Sequence, residues 1–176
     1  MFFSTRGGKR GLLISAVAVA AFSLTACSSD DPSLDDAKSS PDGRAADVTA
    51  VEDLVDRYWD AVVKSENTVD DDPKQFADLA DGPFIERQLK TVRDYDEAGI
   101  RRVGQPEIAD VEVAVSGDTA QVEACLNEDE WTAKKNGKTI KAPKLGPVPW
   151  GAEAERRDDA WVITDVRVPP EGAKEC

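Results

Sequence analysis

The 176-residue chain sets 35 acidic side chains against 22 basic ones, a formal charge of −13, and contains no histidine. So acidic a chain lacks the cations that displace counterions from phosphates, which argues against nucleic acid as a partner and fits solubility and self-repulsion outside the cell. Without histidine there is no ordinary general base near neutral pH, no imidazole ligand for zinc or copper and no Ser-His or Cys-His nucleophile. Any enzyme built from this chain acts through carboxylates, tyrosines or lysines.

Arg6, Lys9 and Arg10 precede an apolar run, Leu12 to Leu24, that has signal-peptide length and is short for a membrane span. The run ends in Leu24-Thr25-Ala26-Cys27, which resembles the lipobox of bacterial lipoproteins, whose cysteine takes a diacylglyceryl thioether and begins the mature chain. An ordinary signal peptide that happens to contain a cysteine, or an uncleaved anchor, is the alternative. The small flanking residues and the Ser28-Ser29-Asp30 exit favour the lipobox. Residues 1–26 are therefore expected to be a leader, and Cys27 the lipidation site that holds the protein on the outer face of the cell membrane. Cleavage removes three of the 22 basic residues and none of the 35 acidic ones, leaving 19 against 35 and a formal charge of −16. Ser28 to Ala46 is rich in Ser, Asp and Pro and has no periodic apolar face. It cannot bury enough to offset its ordering entropy, so residues 27–48 are expected to be a disordered tether, spanning on the order of 25 Å.

A folded domain is expected over 49–176. Thr49-Ala50-Val51-Glu52 fits a capping box, after which Val51, Leu54, Val55, Tyr58, Trp59 and Val62 form a helical stripe with Glu52, Asp53, Asp56, Arg57 and Asp60 facing water. Asn67 to Asp72 ends this helix in an acidic loop. Asp72-Pro73 opens a second, short helix with Phe76 and Leu79 inward, and a third runs from Pro83 to Ala98 with Gly99 as its left-handed cap and Ile100 against Tyr95. Val111, Val113 and Val115 then alternate with polar residues, Ser116-Gly117-Asp118 turns the chain, and Ala120, Val122, Ala124 and Leu126 alternate back, which makes a β-hairpin with one apolar face. Trp131-Thr132 and Thr139–Lys141 flank an Asn136-Gly137 turn. Pro143 to Pro149 reads as loop, because three prolines remove ladder donors. A last hairpin turns at Asp158-Asp159, with Val162, Thr164, Val166 and Val168 on one face and Trp161 and Ile163 on the other.

The order is three helices followed by a strongly bent antiparallel sheet, an α+β architecture. With the segments FADLADGPFIERQLKTVRDYDEAGIRRVGQP, GDTAQVEACLNED and ERRDDAWVITDVRV and the leading LTAC, it resembles the nuclear transport factor 2-like (SnoaL-like, cystatin-like) cone as found in actinobacterial cell-envelope lipoproteins. The resemblance covers Thr49 to Cys176. It implies a cone with an apolar pocket between helices and sheet but no particular reaction, since enzymes, binders and docking modules share that fold. No catalytic position of the enzyme members finds a matching motif in this sequence.

Cys125 and Cys176 lie in a chain expected to enter an oxidising space, so a disulfide is favoured over free thiols or a metal site. Cys125 shares the side of Gln121 and Glu123, which puts the bridge on the polar face of the hairpin. Tyr58, Trp59 and Tyr95 are candidate pocket residues, with Asp110 or Glu123 as a buried acid, against the plainer reading that the aromatics are core and the acids solvated. Trp131, Trp150 and Trp161 mark either an interface or the far wall of the core. Lys134, Lys135, Lys138, Lys141 and Lys144 either blunt a sheet edge or contact anionic lipid, wall polymer or an acidic envelope protein. No cofactor and no metal are expected. These readings point to a lipid-anchored, extracytoplasmic binding or docking module that is not an enzyme. The competing class is a histidine-free isomerase or dehydratase working on an apolar small molecule in the cone. An enzyme requires an acid beside an open pocket, whereas a docking module requires a filled cone and an exposed apolar surface.

Overall fold

A computed structural model describes residues 40–167 and Cys176. The leader, Cys27 and most of the expected tether lie outside the described residues.

Helix α1 spans Pro41–Thr68 and so begins eight residues before the capping box at Thr49. The expectation that the tether continues to residue 48 is corrected accordingly. Ser40 is the true cap: its hydroxyl accepts from the Gly43 amide at 3.0 Å, and Pro41 occupies the first helical position, where a missing N–H costs nothing. The added turns bury little of their own surface. They are held instead by Asp47, which forms an ion pair with Arg156; the Arg156 guanidinium also reaches Asp118 at 3.2 Å and lies 4.5 Å from the Trp161 ring centroid. From Val51 onward the buried positions recur as Leu54-Val55, Tyr58-Trp59, Ala61-Val62 and Ser65-Glu66, one continuous face at helical spacing. The helix closes on Val69 in the left-handed conformation (φ 50°), an unusual position for a β-branched residue.

The expected second helix is only a 3-10 turn, Pro73–Phe76, capped by Asp72 and burying Phe76. Helix α2, Pro83–Ala98, ends on Gly99 as the sequence predicts. Among the described residues there are thus two α-helices and a 3-10 turn rather than three helices. Ile100 does more than close a helix end: it starts β1, Ile100–Val103, a strand whose Arg-Arg centre hid it from hydrophobic patterning.

The remaining strands are β2 (Glu107–Ser116), β3 (Thr119–Asn127), β4 (Thr132–Lys135), β5 (Lys138–Thr139), β6 (Val148–Arg157) and β7 (Ala160–Arg167). They form a four-stranded antiparallel sheet in the order β2-β3-β6-β7 and a small three-stranded one in the order β1-β4-β5. Both edge strands of the larger sheet bulge. In β2 the extra residue lies between Ala109 and Glu112, with Asp110 at φ 53°, so Ile108 and Val111 both face the core although three apart. In β7 the pairing steps from Asp165 to Ile163 opposite Glu153 and Ala154, so Val166 joins Ile163 on the core side. This corrects the strict alternation expected for that strand. Bulges bend and twist a sheet, and these two curve it around α1.

The prolines also require a correction: β6 begins at Val148 and includes Pro149, opposite Cys125. A proline next to the start of a strand is tolerated, whereas one in the strand interior is not. The architecture is α+β, with helices packed on a curved antiparallel sheet. Cys125 and Cys176 are joined by a disulfide, and Cys125 is 4% exposed on the side of β3 away from the helices.

Candidate functional site

The cone is filled. The Tyr58 ring is surrounded by those of Trp59, Phe76, Phe84 and Trp150 at centroid distances of 5.9 to 6.4 Å, and Trp59 meets Trp150 edge-on at 5.6 Å. Such contacts are favourable aromatic packing. Burial, helped by the charge of Glu66, raises the Tyr58 hydroxyl pKa far above the ordinary tyrosine value, so it stays protonated. The expected pocket of Tyr58, Trp59 and Tyr95 is therefore not assembled. Tyr95 is half-buried in the last turns of α2 and outside the aromatic cluster, and Trp59 reaches only a shallow surface hollow with Asp56, Asp60, Val63, Gln105, Pro106 and Ile108. Trp131, Trp150 and Trp161 are all core, at 3%, 7% and 4% exposure. Asp110 is exposed and Glu123 half-buried, so neither is the buried acid.

That acid is Glu66. It continues the apolar stripe of α1 four residues beyond Val62, the last position of the predicted stripe, and it is 5% exposed. Its Oε1 accepts from Gln88 Nε2 of α2 at 2.8 Å, and its Oε2 lies 3.9 Å from Arg102 Nη1 of β1. Arg102 Nη2 donates to Glu128 Oε2 at 3.3 Å, and the guanidinium carbon stands 3.8 Å above the Trp131 ring centroid, a cation–π contact. Trp131 Nε1 donates to Asn67 Oδ1 at 3.0 Å, while Asn67 Nδ2 donates to the Gly104 carbonyl at 2.8 Å. Gly104 is required here: its φ is 95°, and a Cβ would stand 2.9 Å from the Glu130 carbonyl oxygen. The last turn of α1, β1 and the start of β4 are thus tied into one polar knot around Trp131.

Desolvation raises the Glu66 pKa; the Gln88 hydrogen bond and the charge of Arg102 pull it down, and Glu128 pushes it up again. An acid whose folded pKa is raised contributes stability that is fully present below the unfolded value and is lost as pH climbs through the folded value. The expected result is that Glu66→Gln, which keeps an acceptor for Gln88, becomes progressively more stable relative to wild type as pH rises from 4 to 7 in parallel urea titrations. A stability difference independent of pH would contradict the shift.

Beside this knot opens a cleft of about 720 Å³. Arg102, Leu126 and Val148 border it from the ends of β1, β3 and β6, Trp131 from just before β4, and residues 139–146 wall the other side. The loop is fixed rather than free: the Asp129 carboxylate accepts from the Leu145 and Gly146 amides at 2.9 and 3.3 Å, and Lys144 is paired with Glu130. The exposed large apolar residues among those described are Val103, Ile140, Leu145 and Val148, and the last three all border this cleft. Glu66 is not among its lining residues; Arg102 stands between them.

The lysines do not share one surface. Lys135 pairs with Lys138 across the β4–β5 turn, and directly opposite residues share a face, whereas Lys134 lies opposite Arg101 and Thr139 on the other face. Lys141 and Lys144 border the cleft. Among the described residues no group of three or more His, Cys, Asp or Glu is placed to hold a metal, and no helix is long and apolar enough to cross a membrane.

No family model matches the sequence, and no curated protein does. Solved structures do resemble the fold. A Mycobacterium tuberculosis protein of unknown function is 15% identical, with 76% of each chain covered and a TM-score of 0.50. The intermembrane-space region of the chloroplast protein ARC6 is 15% identical over 69% of this chain and 95% of its own, with a TM-score of 0.47. An NTF2-like protein with a cystatin-like fold from Novosphingobium aromaticivorans is 11% identical over 77% of this chain and 94% of its own, with a TM-score of 0.37. At such identities the likeness is one of fold.

Proposed function

We propose that this protein is a lipid-anchored, extracytoplasmic binding module of the cell envelope that takes a small, largely apolar ligand in the cleft beside Trp131 and performs no chemistry on it. The observation that carries this reading is the contrast between the two candidate cavities. The cone is closed by five aromatic rings, while the cleft is preformed and gathers Ile140, Leu145 and Val148 at its edge. Its volume lies within the range of small-molecule sites, which are typically apolar with a few placed polar groups. A catalytic reading lacks support, because the two groups such an enzyme needs, Tyr58 and Glu66, are sealed in the core and set behind Arg102.

The anchor fits the same reading. The 28 residues of α1 span about 42 Å at 1.5 Å per residue and carry Asn67, which holds Trp131, at the end far from Pro41. A lipid on Cys27 would hold the chain at the membrane through the residues that precede α1 in the sequence. In this reading the lysines steer anionic ligands toward the cleft of an otherwise acidic protein. The wild-type chain purified from membranes should carry an acyl adduct in intact mass that Cys27→Ser abolishes; an unmodified wild-type mass overturns the anchor.

The cleft itself is tested with Nile red and the full chain carrying Cys27→Ser. Dye fluorescence should rise on binding, and Leu145→Asp together with Val148→Asp should weaken binding at least about tenfold by placing charge on the apolar wall. Because both side chains are exposed, the melting temperature should change little. Unchanged dye affinity in a folded double variant would remove the cleft from consideration.

A further inference from the structure

We infer that the ligand of this cleft is a single-chain amphiphile with a monoanionic carboxylate head, seated on Arg102, with its apolar chain running along Trp131, Leu126, Ile140 and Val148. The inference rests on the cleft being the binding site. Its first support is an incomplete set of hydrogen bonds. A guanidinium has five N–H donors, yet the only one of Arg102 that is hydrogen-bonded among the described residues is on Nη2, to Glu128. Nε is buried without a partner, and the 3.9 Å separation of Nη1 from Glu66 is an ion pair too long for a hydrogen bond. The opposing oxygen, Glu66 Oε2, is equally without a hydrogen-bond partner. Nε is sealed from the cleft, so the donors left for an incoming oxygen are those of Nη1, which is not among the sealed atoms and belongs to a side chain that lines the cleft.

Charge gives the sign and the size of the head group. The two carboxylates that border the cleft are already engaged, Glu128 with Arg102 and Asp129 with the Leu145 and Gly146 amides. On the rim, Lys141 enters no ion pair among the described residues, which leaves a positive charge beside the entrance. A monoanion therefore meets a cation at the floor and another at the edge. A dianion such as a phosphate monoester would meet the same two cations but would bring a second negative charge against the lining acids Glu128 and Asp129. A carboxylate also matches the planar fork of arginine, which presents two parallel donors.

The body of the ligand follows from the wall. The Arg102 guanidinium carbon stands 3.8 Å over the Trp131 ring, so that ring face is covered by the cation, and the large apolar side chains left in the lining, Leu126, Ile140, Leu145 and Val148, are all aliphatic. A flexible alkyl chain conforms to such a wall better than a rigid ring system does. A cleft of about 720 Å³ has room for a chain of roughly a dozen carbons.

The test uses the full chain carrying Cys27→Ser and compares dodecanoate with dodecan-1-ol, each below its aggregation limit, by displacement of Nile red. Dodecanoate should bind about tenfold or more tightly than the alcohol, the increment expected of hydrogen bonds to a charged group. Arg102→Met should bring dodecanoate down to the level of the alcohol while leaving the alcohol unchanged. Should Arg102→Met fail to fold, Lys141→Gln, whose side chain is exposed, should still narrow the gap, and the wild-type comparison stands by itself. Equal affinity of the two ligands for the wild-type chain overturns the carboxylate while leaving the cleft as the site. Failure of both ligands to displace the dye, together with dye binding that ignores Leu145→Asp and Val148→Asp, overturns both.

Discussion

Truncating Trp150 to alanine should destabilise the domain by about 3–5 kcal/mol, the cost of deleting a large buried aromatic and leaving a cavity. Trp150 is 7% exposed and stands on β6 opposite Ala124 of β3, where small residues of the sheet leave the room its indole fills. It touches both aromatic residues of α1, stacking on Tyr58 at 6.4 Å and meeting Trp59 at 5.6 Å, so its loss loosens the contact between the helix and the middle of the sheet. Urea denaturation should show a lower midpoint with an unchanged slope. Nile red binding at the cleft should persist, because Trp150 is not one of its lining residues. A loss of less than about 1 kcal/mol, far below the range for such truncations, would mean that the cone is not tightly filled, and the distinction between cone and cleft would fail with it.

Removing the Cys125–Cys176 bridge should lower stability by about 4 kcal/mol, from the chain entropy of a closed loop of about 50 residues. Cys125 sits in the interior of β3, between Ala109 of β2 and Pro149 of β6, so the bridge ties the chain terminus to the most heavily paired strand. The double variant Cys125→Ala with Cys176→Ala, compared with the oxidised chain in urea, measures the effect without a free thiol that exchanges. Peptide mapping without reductant should recover the two cysteines as one cross-linked pair. Free thiols in protein isolated under those conditions would contradict the pairing, and a stability difference near zero would show that the cross-link does not constrain the unfolded chain.

Local chemistry makes much of the framework legible in the sequence itself. Asn136-Gly137 and Asp158-Asp159 adopt positive φ at both positions of their hairpin turns, Gly117 turns the β2–β3 hairpin, and Gly99 caps α2. Each is a residue whose own conformational freedom fixes the outcome, so each can be read without knowing its neighbours in space. The apolar stripe of α1 is legible for the same reason, since its period belongs to the helix alone. The pairing of Cys125 with Cys176 needed only composition and an expected compartment.

What local chemistry does not contain was decided by contacts between distant segments. The first turns of α1 look like a tether because they carry no apolar face; they are helical with Asp47 held by an arginine that arrives on β6. Strand β1 reads as Ile-Arg-Arg-Val, yet it turns Arg102 inward and leaves Val103 42% exposed, the reverse of hydrophobic alternation, because the inward position meets Glu66 and the face of Trp131. Glu66 itself was visible as a charged residue on an apolar stripe. That signal marks a buried charge only once its partner is known, and the partner comes from another element. The cleft was the least legible feature of all: its wall is a proline-rich loop whose sequence says only that it is not helix or strand, and two amide hydrogen bonds to Asp129 give that loop its shape. A sequence determines turns, caps and periodicities, because these follow from single residues and their spacing. Buried charges and cavities depend on which surfaces come together, and only the tertiary structure decides that.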